Sequence, residues 1–213
     1  MGLYAKEKGG EGFDPIDEGI HHAIAYSVYD LGHQYNEKFN KSEEKVIITW
    51  ELPDERIEIE KEGEMKNLPR AISRKFTNSL HKKSHLRQVL TTWRGRDFTT
   101  AELEGFLLTK ILGVHCQLQV IHNKTESGTY ANITAILPYT GEDKAKKPEN
   151  PIRSFSLDED TKIPDGCPEW ISNIIMESEE WKALWDPQNN KIPTGDPNED
   201  PPWEGDQVGD QPF

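Results

Sequence analysis

The sequence predicts a mainly β protein with helices, and the order of its elements carries this prediction. Three segments with strand-like alternation lie at 19–32, 45–52 and 70–80. A helical segment follows at 81–93, and two more alternating segments come after it. Three strands, a helical link and two strands is the order of the OB-fold, a five-stranded Greek-key barrel. A generic β-sandwich and another small α+β sheet remain alternatives, because order alone does not fix strand pairing.

The first three predicted strands are recognised by their period of two. Ile24, Tyr26 and Val28 share one face of the first strand. The second strand ends at Pro53, which cannot donate to a ladder, and RIEIE extends its hairpin. The third, RAISRKFTNSL, has no cleanly apolar face, because small polar and basic residues alternate with apolar and aromatic ones. This mixture is typical of a strand that faces nucleic acid.

The remaining elements of the front domain change period and then return to alternation. The first helix is predicted from an i, i+3, i+4, i+7 stripe, formed by Leu86, Val89, Leu90 and Trp93. A capping box of Thr99 and Glu102 opens a second helix, which Gly113 closes. The segments 114–122 and 129–137 then alternate on either side of a polar turn and predict a hairpin.

Composition divides the chain into four regions. Residues 1–18 predict a flexible arm, and 19–140 an OB-fold nucleic-acid-binding domain. Residues 141–190 predict a linker and a short amphipathic helix after Pro168, whose stripe of Trp and Ile should pack on its own domain or, alternatively, bind a partner. Residues 191–213 predict a disordered acidic tail, since 192–213 hold six acids, five prolines and no basic residue.

A basic segment at 66–96 stands out in a chain whose formal net charge is −13. It has nine Lys and Arg residues and no Asp or Glu. Such a strip attracts large anions, of which a nucleic acid backbone is the commonest, although a solvated surface that happens to lack acids is the simpler alternative. Residues 1–140 have a net charge of −2 and residues 141–213 one of −11. Most of the net negative charge of the chain therefore lies in its C-terminal third.

Other features limit the classes of function. The two cysteines, Cys116 and Cys167, are too isolated for a disulfide framework or a zinc site, and we expect reduced thiols. No leader or apolar run long enough to span a bilayer is present, which predicts a cytoplasmic protein. We expect no cofactor and no metal.

Candidate DNA contacts follow from these patterns. Backbone phosphates would be bound by Arg70, Arg74, Lys75, Lys82, Lys83, Arg87, Arg94 and Arg96, with Lys124 in the last hairpin. Stacking candidates are Trp50, Phe76, Trp93 and Tyr130, of which we expect at most two to contact bases. Core packing is the alternative for each ring, most strongly for Phe76 and Trp93.

Several motifs resemble those of a group of single-stranded DNA-binding proteins of tailed phages, often encoded beside recombinases. The resemblance spans residues of about 27–140 and includes YDLG, KVIITWELP, RAIS, WRGR and YANI, with PEW further on. It implies an OB-fold that coats and protects single-stranded DNA during phage replication and recombination, in the host cytoplasm. The resemblance does not fix the oligomeric state, and a homo-oligomer is one alternative, since OB-folds of this kind act as monomers, dimers or tetramers.

The end of the chain resembles the acidic, Pro-Phe-ended tip of bacterial and phage proteins of the same kind. That resemblance implies recruitment of replication and recombination proteins through Asp206, Asp210, Pro212 and Phe213. Independently, a terminal ring and carboxylate offer a partner one apolar anchor and one charge. An acidic tail can also compete with DNA for the basic strip, because it is present at high effective concentration. A merely solubilising tail is the alternative.

Two other classes of function remain alternatives. A recombination mediator or inhibitor would act through protein contacts without coating DNA, but a DNA mimic would spread its acids over a folded face. An enzyme needs a placed nucleophile and base or a metal site. No GxSxG motif occurs, and the neighbours His21 and His22 should point to opposite faces of a strand, as should His115 and His122. We therefore predict that the protein is not an enzyme.

Overall fold

The computed structural model describes residues 14–61, 63–126, 128–143 and 145–185. Within these residues the chain forms a mainly β structure with short helices, as the sequence predicts. The strands are β1 (Gly19–Asn36), β2 (Lys41–Lys61), β3 (Glu64–Thr77), β4 (His115–Thr125), β5 (Gly128–Pro138) and β6 (Arg153–Phe155). The helices are α1 (His85–Arg94), α2 (Thr100–Glu104), α3 (Glu169–Met176) and α4 (Glu179–Trp185), with 3₁₀ turns at Glu37–Phe39 and Leu108–Ile111.

The sheet has the strand order β3-β2-β1-β4-β5, and each neighbouring pair is antiparallel. Strand β1 is long enough to pair with two different strands along one of its edges. Its first part, Gly19–Ile24, pairs with β4, whereas Ser27–Tyr29 pair in parallel with β6. A register irregularity in the pairing of β1 with β2, between Ala25 and Ser27, separates these two regions, and a second one follows Asp30. The described C-terminal region is thereby built into the sheet.

The inner face of the sheet packs against α1. The four stripe residues Leu86, Val89, Leu90 and Trp93 are buried, as their spacing predicts. Trp50 is fully buried among them, with its ring centroid 6.0 Å from that of Trp93. Helix α1 ends at Gly95, which adopts a left-handed φ of 67° and has open space around it. Helix and sheet therefore share one core.

A second apolar cluster lies on the outer face of the sheet. Here Tyr29, Leu31 and Ile47 pack against residues from the C-terminal region, namely Phe155, Leu157, Ile171 and Ile175. The amphipathic stripe therefore folds back on its own domain. The sequence predicts one helix here, but the chain forms two, because buried Ser178 accepts the N–H of Trp181 and caps a new helix.

Other elements also differ from their predicted extents, and β2 does not end at Pro53 but continues to Lys61. The helix that begins at the capping box of Thr99 and Glu102 lasts only to Glu104, since Gly105 is extended and a 3₁₀ turn follows. The last part of the predicted N-terminal arm is fixed against the sheet. Ile16 is buried, and its carbonyl accepts a hydrogen bond from His122 Nε2 at 2.8 Å. The rest of the predicted arm, residues 1–13, lies outside the described residues.

Candidate nucleic-acid interface

Strand β3, which carries the first part of the basic segment, lies at one end of the sheet order. Its side chains alternate as a strand requires. Ile72 and Phe76 are buried, whereas Ala71 and Lys75 are exposed. The Ser73 hydroxyl on the outer face pairs with that of Thr49 at 2.9 Å. The strand therefore presents a small, polar and basic row to solvent.

Two hollows follow β3. The first, which we call the Tyr130 hollow, has a volume of about 560 Å³. It is lined by residues 14–16 of the arm, 70–73 of β3, 128–131 of β5 and Trp170 of α3. The second, the Lys75 hollow, has a volume of about 530 Å³ and is lined by Gln34, Tyr35, Lys45, Lys75, Phe76, Thr77, His85 and Ile174. At about 3.3 Å per residue, they cover roughly 23 Å of β3 between Arg70 and Thr77.

The Lys75 hollow has a basic lining. Two lysines and a histidine line it, and no Asp or Glu does. Lys45 Nζ donates to Thr77 at 2.8 Å and to Glu43 at 2.6 Å, which fixes its ammonium beside the hollow. The exposed Lys75 has no ion pair among the described residues. This lysine is therefore the cation best placed to meet a phosphate.

Arg74 holds β3, β5 and α1 together and is not turned outward. Its Nη1 donates to the carbonyl of Ile133 at 2.8 Å, and its Nη2 lies 3.0 Å from His85 Nδ1. Burial lowers the pKa of Arg74, and the pKa of His85 is lowered first by burial and then by Arg74. Because a guanidinium only donates, Nδ1 of His85 must accept and the imidazole is neutral. Arg74 therefore has a structural role, which corrects its prediction as a phosphate contact.

Three more of the predicted cations are paired with acids beyond the basic segment. Arg87 Nη2 contacts Asp97 at 3.2 Å. Arg94 and Arg96 share Glu102, whose pKa is lowered to about 2, first by the hydrogen bond from Arg96. Within this network, the three arginines that were predicted as phosphate contacts all form ion pairs inside the protein.

Within that network, Arg94 has the most enclosed position. Its guanidinium lies 4.4 Å from the ring centroid of Phe98 and 4.9 Å from that of Phe106. Only 14% of the side chain is exposed. Arg94 therefore stabilises the segment after α1 and is not accessible to a phosphate.

The other predicted cations are more accessible. Lys82 and Lys83 are exposed in the turn before α1, and Lys124 is exposed near the end of β4. None of these lysines has an ion pair among the described residues, and none lines either hollow. Arg70 lines the Tyr130 hollow and donates to the carbonyl of Asp14. Of these four residues, only Arg70 therefore lines a hollow.

Most of the predicted stacking residues belong to the core. Trp50 has no exposed surface, Trp93 is 5% exposed and donates to the carbonyl of His115 at 2.9 Å, and Phe76 is 4% exposed. No face of these rings is available to a base, which corrects the prediction for all three. Tyr130 is different, because it is 49% exposed at the rim of its hollow.

Two exposed rings beside the hollows were not predicted as contacts. Tyr35 is 59% exposed and Trp170 is 49% exposed. Trp170 belongs to the stripe that predicted α3, but Ile171 and Ile175 make the contact with the sheet. The sequence did contain a signal for this position. The apolar stripe of α3 is wider than the contact between one helix and a sheet, so a residue at its edge, such as Trp170, remains exposed beside the sheet.

A cluster of rings lies away from β3. His22 Nε2 and His115 Nδ1 are 2.9 Å apart, and the ring of Tyr139 stacks on His22 at 4.2 Å. The pKa of His22 is lowered first by burial and then by His115. Within the described ranges, no group of three or more His, Cys, Asp or Glu side chains could hold a metal ion. The pairing of β1 with β4 therefore brings His22 and His115 together, although the sequence considered each of them with a different neighbour.

The predicted partner-binding residues Asp206, Asp210, Pro212 and Phe213 lie outside the described residues. In the part of the chain that the structure describes, no helix is long and apolar enough to cross a membrane. No protein-family model, curated protein or solved structure matches this chain.

Proposed function

We propose that this protein binds single-stranded DNA with little sequence preference and coats it during phage replication and recombination. The observation that carries the proposal is the pair of hollows along β3, which combines the acid-free basic lining of the Lys75 hollow with exposed aromatic rings at both hollows. Cations attract the phosphates of any nucleic acid, whereas ring stacking requires bases that are free of a duplex. Together these features favour a single strand.

We propose in addition that the sheet is an OB-fold barrel. The order β3-β2-β1-β4-β5, with α1 between β3 and β4, is the order of that fold when β3 and β5 meet. The hydrogen bond from Arg74 on β3 to the carbonyl of Ile133 on β5 supports such a closure. In this arrangement the Tyr130 hollow lies between the two closing strands.

The test of DNA binding is fluorescence anisotropy with labelled oligo-dT and the matching duplex at low and high salt. We expect tighter binding to the single strand and a fall in affinity with salt. Lys75→Glu should weaken binding several-fold. Lys162→Glu makes the same charge change at a side chain that is 77% exposed and lines neither hollow, so it is the matched control. Equal binding by all three proteins would refute the proposed interface.

The acidic tail is proposed to recruit replication and recombination proteins. Deletion from Gly209 should leave DNA binding intact or strengthen it, because a competing anion is removed, and should abolish partner recruitment. Weaker DNA binding after this deletion would contradict the model. The same anisotropy titration, with and without the deletion, measures the effect on DNA directly.

A further inference from the structure

Two half-exposed aromatic rings from distant parts of the sequence line the Tyr130 hollow. Tyr130 is at the start of β5, and Trp170 is in the first turn of α3. We propose that they form a nucleobase-binding site with Arg70, so that α3 supplies a DNA contact. This inference rests on the proposed function and adds to it a site to which the C-terminal helix contributes.

The position of Trp170 is fixed by its neighbours in α3. Ile171 and Ile175 are buried in the outer cluster with Tyr29 and Ile47, and they anchor one side of the helix to the sheet. Trp170 and Ile174 are four residues apart and therefore lie on one side of the helix. Trp170 lines the Tyr130 hollow and Ile174 the Lys75 hollow. Helix α3 therefore forms part of the wall of both hollows.

The charges in the two hollows favour different parts of a nucleotide. The Tyr130 hollow has one arginine, one carboxylate from Asp14 and two exposed rings. The carboxylate disfavours a phosphate there, whereas the rings favour a flat, neutral base. The Lys75 hollow has two lysines and no carboxylate. We therefore assign bases to the Tyr130 hollow and phosphates to the Lys75 hollow.

The size and donors of the Tyr130 hollow suit this assignment. Its volume of about 560 Å³ lies within the range of small-molecule sites. Arg70 donates to the carbonyl of Asp14, which orients the guanidinium, and a guanidinium has five N–H donors in all. The remaining donors can reach a base edge or the adjoining phosphate.

The test compares oligo-dT with an abasic oligonucleotide of the same length, using the full chain. Trp170→Ala should weaken binding of oligo-dT by about 5- to 100-fold, the usual effect of losing one base stack. The same variant should bind the abasic strand as the wild type does. Trp170→Phe keeps a ring and should retain most of the affinity for oligo-dT. A Trp170→Ala variant that binds oligo-dT normally, or loses both ligands equally, would overturn the proposal.

Two further measurements separate stacking from a loss of structure. Met176→Ala truncates another exposed side chain of α3 that lines neither hollow, and it should leave both affinities unchanged. The double variant Tyr130→Ala/Trp170→Ala should lose less than the product of the single losses, because both rings hold one base. Strictly independent losses would argue against a shared site.

The outcomes for this site and for DNA binding are distinguishable. If the wild type binds oligo-dT and Lys75→Glu weakens it while Trp170→Ala does not, only the base site is refuted. If the wild type binds neither oligonucleotide, the proposed function fails and the base site fails with it.

Discussion

The carboxylate of Glu180 on α4 contacts both the backbone N–H and the imidazole ring of His33 on β1. Its Oε2 accepts the backbone N–H of His33 at 2.7 Å, and its Oε1 contacts the imidazole Nδ1. The hydrogen bond to Glu180 raises the pKa of His33 above its usual 6.5. Burial acts to raise the pKa of Glu180, but the hydrogen bonds from His33 outweigh it and leave the pKa below its usual 4.5. The pair therefore links protonation to the docking of α4.

We expect this pair to stabilise docking most between about pH 4.5 and 6.5. The raised pKa of His33 contributes stability below 6.5 that is lost as the pH rises through the folded-state pKa. The lowered pKa of Glu180 contributes stability above 4.5 that is lost as the pH falls through its folded-state pKa. Because the side chains are 44% and 35% exposed, the effect should be only about 0.2–1 kcal/mol.

Hydrogen exchange of the α4 amides, corrected for intrinsic exchange rates, measures this pH dependence. Protection should fall in the wild type as the pH rises above 6.5, the usual pKa of a histidine. Glu180→Gln should flatten this part of the profile, since the amide keeps an acceptor but has no charge. A profile that is the same in both proteins would show that another group controls docking.

Gly32 should be intolerant of substitution. Its φ is +64°, and an added Cβ would lie 2.5 Å from Glu180 Oε2 and 2.7 Å from Leu157 Cδ1. We expect Gly32→Ala to lower the free energy of unfolding by more than the roughly 1 kcal/mol of backbone strain. Gly95→Ala is the matched control, because Gly95 has a φ of +67° and nothing within 4 Å.

Urea unfolding of the two glycine variants separates backbone strain from packing. The difference between their free energies of unfolding reports how tightly β1 packs against the C-terminal region around Gly32. Equal losses of stability in the two variants would mean that this packing can shift to accept the added methyl group.

Glu51 anchors the segment before β6. Its side chain has no exposed surface and accepts hydrogen bonds from the backbone N–H groups of Glu149 at 2.9 Å and Asn150 at 2.7 Å. We expect Glu51→Ala to cost about 3 kcal/mol, because several hydrogen bonds to a buried, charged acceptor are lost. Glu58→Ala, at an exposed position of β2, should change the free energy of unfolding by less than about 0.5 kcal/mol. Urea unfolding measures both, and a similarly small loss at Glu51 would contradict the anchoring role.

Periodicity predicted the long elements because each buries one face. The stripe of α1 is the clearest case, since Leu86 and Leu90 lie one turn apart and are both buried. Strand β2 is harder to interpret, because α1 covers one face and the C-terminal cluster covers the other. Ile47 and Ile48 are therefore both buried, and alternation could not show that Trp50 points into the core.

The sequence was less informative about short elements and about the site. Strand β6 has only three residues, too few to show a period. Arg74 and Lys75 were both predicted as phosphate contacts, although strand alternation puts them on opposite faces, and Arg74 points to β5 whereas Lys75 lies on the outer face. The acids that neutralise the arginines of the basic segment come from Asp97 and Glu102, just beyond the segment. Charge counting within a window cannot detect such pairs.

The different environments of Lys75 and Arg96 predict different effects on the salt dependence of DNA binding. Lys75 is exposed beside an acid-free hollow, whereas Arg96 donates to both carboxylate oxygens of Glu102, at 2.8 and 3.0 Å. Each phosphate contact on a single strand contributes about 0.7 to the slope of log affinity against log salt. We expect Lys75→Ala to reduce that slope by about this amount and Arg96→Ala to leave it nearly unchanged.

Anisotropy titrations with oligo-dT at four or more salt concentrations give both slopes. Both variants remove one positive charge, so they alter the net charge of the protein equally. A diffuse field would lower the two slopes alike, since it depends only on total charge. A smaller slope for Lys75→Ala alone would instead require a local phosphate contact at the Lys75 hollow.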